Sequence, residues 1–291
     1  MKWEGERQSE NVEDRRGMGG GGPRLIGGRG IGVGTIVVAL VAGWMFGINP
    51  LTVLGLLSGG GDMAPQAQQQ PARKPPAEDR QAAFVSTVLA DTEDVWGRVL
   101  SASNARYDAP RLVLYSGRTP TACGGGDAAM GPFYCPGDRK VYLDLDFFRT
   151  LQANLGAPGD FAQAYVIAHE VGHHLQQLMG VTEKVDRMRG RLSEADMNRV
   201  SVRVELQADC LAGVWTHHSQ KGKGWLEQND IPEALNAASK IGDDTLQRQA
   251  RGTVVPDSFT HGSSEQRVRW FKRGLEAGQV KACDTFSERT L

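Results

Sequence analysis

The chain has 291 residues, of which 40% are hydrophobic and 23% charged, the balance of a globular protein rather than a disordered one. Its formal net charge of -1 gives no bulk electrostatic reason to bind nucleic acid, so no nucleic-acid partner is expected. The length allows one good-sized domain with added segments, and glycine crowded into the first 61 residues marks a compositional boundary.

Residues 1–30 carry charges of both signs and the run Gly19-Gly20-Gly21-Gly22, which predicts a disordered N-terminal segment. From Ile31 to Leu57 there is no charged side chain. Ile31–Ile48 alone would span about 27 Å as a helix, close to the hydrocarbon thickness, and Asn49-Pro50 should kink or end it. Residues 31–57 are therefore predicted as one transmembrane anchor. Arg15, Arg16, Arg24 and Arg29 precede the stretch and no base follows before Arg73, which predicts a cytoplasmic N-terminus with the remainder outside. No small-x-small cleavage site follows, so the anchor is expected to stay attached. Residues 58–78, with Gly59-Gly60-Gly61, Gln68-Gln69-Gln70 and prolines 71, 75 and 76, read as a flexible linker.

The folded domain is expected over 79–291. Phe84, Val88, Val95, Trp96, Val99 and Leu100 follow helical spacing. Arg111–Tyr115 and Lys140–Leu145 read as strands, with a glycine-rich loop between them. A helix should start at an Asp160 N-cap, with Gln163 completing a capping-box pattern, and stop at Gly180. A longer helix is expected from Glu194 to Trp215, and another from near Asp230 past Leu235. Helices outnumber strands, so the class is α+β, mostly helical, with one small sheet.

Four cysteines lie in the C-terminal two thirds, and none forms a Cys-x-x-Cys pair. An even count fits two disulfides and an oxidising compartment. Of three possible pairings, Cys123–Cys135 with Cys210–Cys283 is favoured, the first because it closes the short glycine-rich loop.

The chemistry concentrates in His169-Glu170-Val171-Gly172-His173. Two histidines four apart on a helix share a face, about 6 Å apart along the axis, and can converge on one metal ion. Glu170 points about 100° away round the helix, suited to act as general base on a metal-activated water. The apolar neighbours Tyr165, Val166, Ile167, Ala168 and Val171 argue against a solvated surface helix. A catalytic zinc needs a third protein ligand and an open position. Glu205, in the apolar-flanked segment Val204–Cys210, is the candidate, with Asp209 one turn on to accept the second ring proton of a histidine ligand. His261, in Phe259-Thr260-His261-Gly262, is the rival ligand, but its loop setting suits a hydrogen-bond donor to a developing oxyanion. His174 has no assigned role, His217 and His218 suit the end of the long helix, and Gly242-Asp243-Asp244 reads as a turn at a helix terminus.

Several motifs in fixed order give the chain a family likeness: Gly131-Pro132-Phe133-Tyr134-Cys135-Pro136, Val141–Leu145, Ala168–His174, Glu205–Cys210, Phe259–Gly262 and Cys283-Asp284-Thr285-Phe286. With them it resembles the neutral zinc metallopeptidases of bacterial membranes over roughly residues 79–291 and the N-terminal anchor. The resemblance implies a zincin-like domain with Zn2+ on His169, His173 and Glu205, catalysis by Glu170, and a peptide or protein substrate. It also implies a bacterial inner-membrane protein, single-pass, with a periplasmic or otherwise extracytoplasmic catalytic domain. The strand at Val141–Leu145 is expected to align an extended substrate by backbone pairing. Two rival readings use the same metal site: a non-catalytic zinc-stabilised assembly module, in which Asp209 or His261 would close the metal as fourth ligand, and a zinc amidase acting on cell-wall material.

Overall fold

The computed structural model, which describes residues 1–17, 73–128 and 131–291, begins with a strand, β1 (Val12–Asp14), in the stretch where the sequence predicts disorder. Residues 1–17 belong to the same folded unit as the domain. The indole of Trp3 packs edge-on against Phe84 at 5.3 Å and donates to Asp160 Oδ2 at 3.1 Å. Arg7 pairs with Glu93 and Asp94 of the first helix. Glu13, 5% exposed, is ringed by Arg15, Arg111 and Lys140. Burial works against its charge, but these three cations outweigh it and hold the carboxyl down at about 2. The mixed charge that made this segment read as disordered is matched by partners scattered up to 127 residues away.

Helix α1 (Arg80–Ser101) starts at an N-cap, Asp79, whose carboxylate accepts from the N–H groups of Gln81 and Ala82. Strand β2 (Arg111–Tyr115), the hairpin β3 (Arg118–Thr121) and β4 (Gly124–Asp127), then β5 (Phe133–Cys135) and β6 (Lys140–Asp144) follow. The four-stranded sheet runs β1-β2-β6-β5, with β1, β2 and β6 parallel and β5 antiparallel to β6. Leu112, Leu114, Val141 and Leu143 face the helices, while Val113, Tyr115, Cys135 and Tyr142 form a small core on the other face. Burial on both faces is why β2 reads as a nearly continuous apolar run. Because β6 lies between β2 and β5, it is not free to align a substrate. The edge strand on that side is β5.

The helical layer comprises α2 (Asp146–Ala153), α3 (Asp160–Leu178), α4 (Val181–Asp186), α5 (Glu194–Lys223), α6 (Asp230–Lys240), α7 (Asp243–Arg251) and α8 (Ser264–Ala277). The expected capping box at Asp160 is not formed. Asp160 is inside the first turn with its carboxylate taken by Trp3, and Glu233 of α6 accepts the Phe161 N–H instead. Helix α3 does stop as expected, with Gly180 in the left-handed region at φ +74°. Helix α5 runs eight residues beyond the predicted Trp215 end and closes on Gly224 at φ +63°. Disulfides join Cys123 to Cys135 and Cys210 to Cys283.

The architecture is thus mostly helical α+β with a small sheet. The predicted anchor at 31–57 and all but the end of the linker lie outside the described residues. Among the described residues, no helix is long and apolar enough to cross a membrane. Strand β1, which precedes the predicted anchor in the chain, pairs in parallel with β2 of the domain.

Candidate metal centre

Two helices build the site. Helix α3 carries His169, Glu170 and His173, and α5 crosses it with Glu205 and Asp209. They approach at Gly172, where an added Cβ would lie 3.0 Å from the Ala208 carbonyl oxygen and 3.1 Å from Ala208 Cα. The glycine inside the motif thus has a packing reason: it lets the α5 backbone come close enough for Glu205 to reach the histidines.

Among the described residues, His169, His173 and Glu205 form one group whose ligand atoms all lie within 4.8 Å of one another. His169 Nε2 is 3.2 Å from Glu205 Oε2, and His173 Nε2 is 3.5 Å from Glu205 Oε1. Ligands about 2.05 Å from a tetrahedral zinc stand about 3.3 Å apart, so these separations fit the ion. The other ring nitrogens are already engaged. His169 Nδ1 meets Asp209 Oδ1 at 2.8 Å, and His173 Nδ1 meets Gln176 Oε1 at 2.8 Å. The Gln176 amino group donates to Val204 O and Gln207 Oε1, which leaves its oxygen as the acceptor. Both histidines therefore carry a proton on Nδ1 and turn Nε2 toward the shared point. Gln176 is a residue the sequence reading missed. Its i+3 spacing from His173 on one helix face was the available signal.

The acids are sharply differentiated. Burial raises the Glu170 carboxyl above its usual range, opposed by His173 and His169. Burial pushes Glu205 the same way, but His173 and His169 overcome it and hold this carboxyl well below the usual range. Asp209, fully buried, is held at about 2 because Arg267 and His169 outweigh its desolvation. Against burial, Asp209 and Glu205 lift the His169 imidazole to about 10. A carboxyl raised by burial beside one held well below the usual range is the division expected of a proton-transfer group beside a ligand.

His261 lines the same cleft. Asp243 holds it: Oδ2 accepts from the backbone N–H groups of Thr260, His261 and Gly262, and Oδ1 lies 3.2 Å from His261 Nδ1. That hydrogen bond raises the imidazole above its ordinary value, with burial opposing and Glu205 adding to it. Asp243 and Asp244 do sit at a helix terminus, and they secure the His261 loop from there. His174, buried and kept low by desolvation, bonds Asp108 O through Nε2 and Tyr134 through Nδ1, so it positions the β5 edge rather than a metal. His217 and His218 bond carbonyls of Leu275 and Gly278 at the end of α8.

The cleft measures about 1100 Å³, and Phe133, Tyr134, Phe147, Met197, Leu246 and Glu170 are among the residues that line it. A large, largely apolar cleft with a few convergent polar groups is the usual form of a substrate site.

Fold and site together define an α+β domain in which one His/His/Glu group that could hold a metal ion opens onto a cleft. The family described as "Putative neutral zinc metallopeptidase" matches residues 1–286, and the chain belongs to that family. It is 51% identical over 295 residues to the uncharacterized protein YpfJ of Escherichia coli (strain K12), covering 99% of each chain. It is 42% identical over 197 residues to the uncharacterized protein Rv2575 of Mycobacterium tuberculosis, covering 64% of this chain and 65% of that one. No solved structure matches.

Proposed function

We propose that this chain is a zinc metallopeptidase of zincin-like fold, attached to a bacterial inner membrane through residues 31–57 and acting outside the cytoplasm on an extended peptide or protein segment. The observation that carries the reading is the convergence of His169 Nε2, His173 Nε2 and the Glu205 carboxylate at zinc-ligand separations, with Glu170 buried beside them.

Zinc held there supplies a Lewis acid for the scissile carbonyl and lowers the pKa of water. Glu170 takes a proton from the attacking water and returns it to the leaving amine, a transfer suited to a carboxyl raised by burial. His261, steadied by Asp243, donates a hydrogen bond to the developing oxyanion. The edge strand β5 offers backbone groups to an extended substrate, with Phe133 and Tyr134 on the cleft wall. A closed, purely structural metal site is disfavoured, because Asp209 is already spent on other donors and, among the described residues, His261 is not in the group of ligand atoms within 4.8 Å of one another.

Both disulfides support an oxidising compartment. Since residues 1–17 fold with the domain, they share that compartment in this reading. Glu170→Gln tests the function: zinc content should stay stoichiometric while peptide hydrolysis is lost. A zinc-loaded variant that cleaves as fast as wild type refutes the assignment.

A further inference from the structure

We infer that Arg267 is a positioning residue for the metal centre, acting through Asp209 on His169. This rests on the metal-site reading above and not on which bond is cleaved.

Arg267 comes from α8, 58 residues beyond Asp209, and is 2% exposed. Its guanidinium grips the carboxylate as a fork: Nε donates to Asp209 Oδ2 at 2.8 Å and Nη2 to Oδ1 at 2.9 Å. Oδ1 also accepts from the Tyr165 hydroxyl at 2.5 Å and from His169 Nδ1 at 2.8 Å. Arg267 Nη2 lies 3.3 Å from the Tyr165 oxygen, and Nη1 donates to Ile241 O at 3.3 Å. Asp209 is thus a hub on which α3, α5 and α8 meet, with each oxygen assigned.

The geometry gives Arg267 a task that a neutral or point-charge residue could not perform. A carboxylate at 0% exposure without a counter-charge is expensive, and its plane is free to turn about its bond to Cβ. A planar fork fixes that plane, because both oxygens must face both nitrogens. With the plane fixed, Oδ1 presents one direction to His169 Nδ1, and the ring is set so that Nε2 faces Glu205. A lysine in place of Arg267 would keep the charge but touch one oxygen at a time.

The test measures zinc affinity by chelator competition at one pH, alongside thermal unfolding. Arg267→Met and Asp209→Asn should each weaken zinc by roughly 10–100-fold, the usual effect of losing an outer partner of a metal-bound histidine. Arg267→Lys should fall between. Because Arg267 acts through Asp209, the double variant Arg267→Met/Asp209→Asn should bind zinc about as Asp209→Asn does, with the two losses not multiplying. This comparison serves even where Arg267→Met alone leaves too lonely a charge to fold, since the double variant buries none. The inference is overturned where Arg267→Met lowers the melting temperature yet keeps wild-type zinc affinity, or where the double variant loses a further tenfold over Asp209→Asn. A wild-type protein that takes up no zinc refutes the metal-site reading itself, a separate outcome.

Discussion

Replacing Gly274 with alanine should destabilise the domain, although the substitution favours helix. Gly274 lies within α8, and an added Cβ would stand 1.9 Å from the Cys210 carbonyl oxygen, 2.8 Å from its carbon and 3.0 Å from Val214 N. Gly213 answers it from α5, where a Cβ would stand 2.1 Å from Phe271 O. The two helices therefore touch backbone to backbone, and no side-chain rotation relieves the clash. Ordinary contact is about 3.5 Å, so the helices must part by more than ~1 Å, a gap that forfeits a quarter to a half of each dispersion well nearby. Overpacking of this kind costs about 1–3 kcal/mol or more, against a gain of about 1 kcal/mol in helix propensity. The net loss should be roughly 2 kcal/mol, a fall of about 4–8 °C in melting temperature for a domain of this size. Gly97→Ala is the control, since Gly97 lies inside α1 with nothing within 4 Å of a new Cβ, and it should stabilise by about 0.5–1 kcal/mol. Thermal unfolding of both variants decides the matter. Zinc affinity of Gly274→Ala should also drop, because α8 carries Arg267 to Asp209. A Gly274→Ala protein as stable as Gly97→Ala would refute the close-contact argument.

Two further outcomes follow from the site and the N-terminal arm. His261 must carry both ring protons to serve Asp243 and an oxyanion together, so kcat/KM for a cleaved peptide should fall as pH rises through its folded pKa, which lies above the ordinary 6.5. The same protonation stabilises the fold fully below 6.5 and is lost above the folded value; Asp243→Asn removes the main cause of the shift and should move the alkaline limb of the profile to lower pH, and an unmoved limb refutes the role. Cysteines introduced at Glu10, whose side chain is 86% exposed, and at Arg289, also exposed, should react together or be protected together when intact cells meet a membrane-impermeant maleimide. Native cysteines do not interfere, because all four are in disulfides. Labelling of one site alone would refute a shared compartment.

The arm shows where local reading fails. Glu13, Arg15 and Arg16 look like a solvated charge run, and only the fold supplies Lys140, Arg111 and Asp79 as partners. Asp160 looks like an N-cap, and only the fold brings Trp3 to occupy it and Glu233 to do its work.

What the sequence determined by itself is what contiguous spacing encodes. Helical period put His169, Glu170 and His173 on one helix and Glu205 with Asp209 on another, and strand alternation marked Lys140–Leu145. Tertiary structure alone decided how those pieces divide the work: Glu205 stands at ligand distance from both Nε2 atoms, Asp209 lies behind His169, and His261 is tied to Asp243. It also brought in Arg267, which no local pattern marks, from 98 residues beyond His169. The reason is physical. A helix repeats over 3.6 residues and is written in neighbours, whereas a charge buried at the crossing of three helices is satisfied only by what the whole chain's packing carries to it.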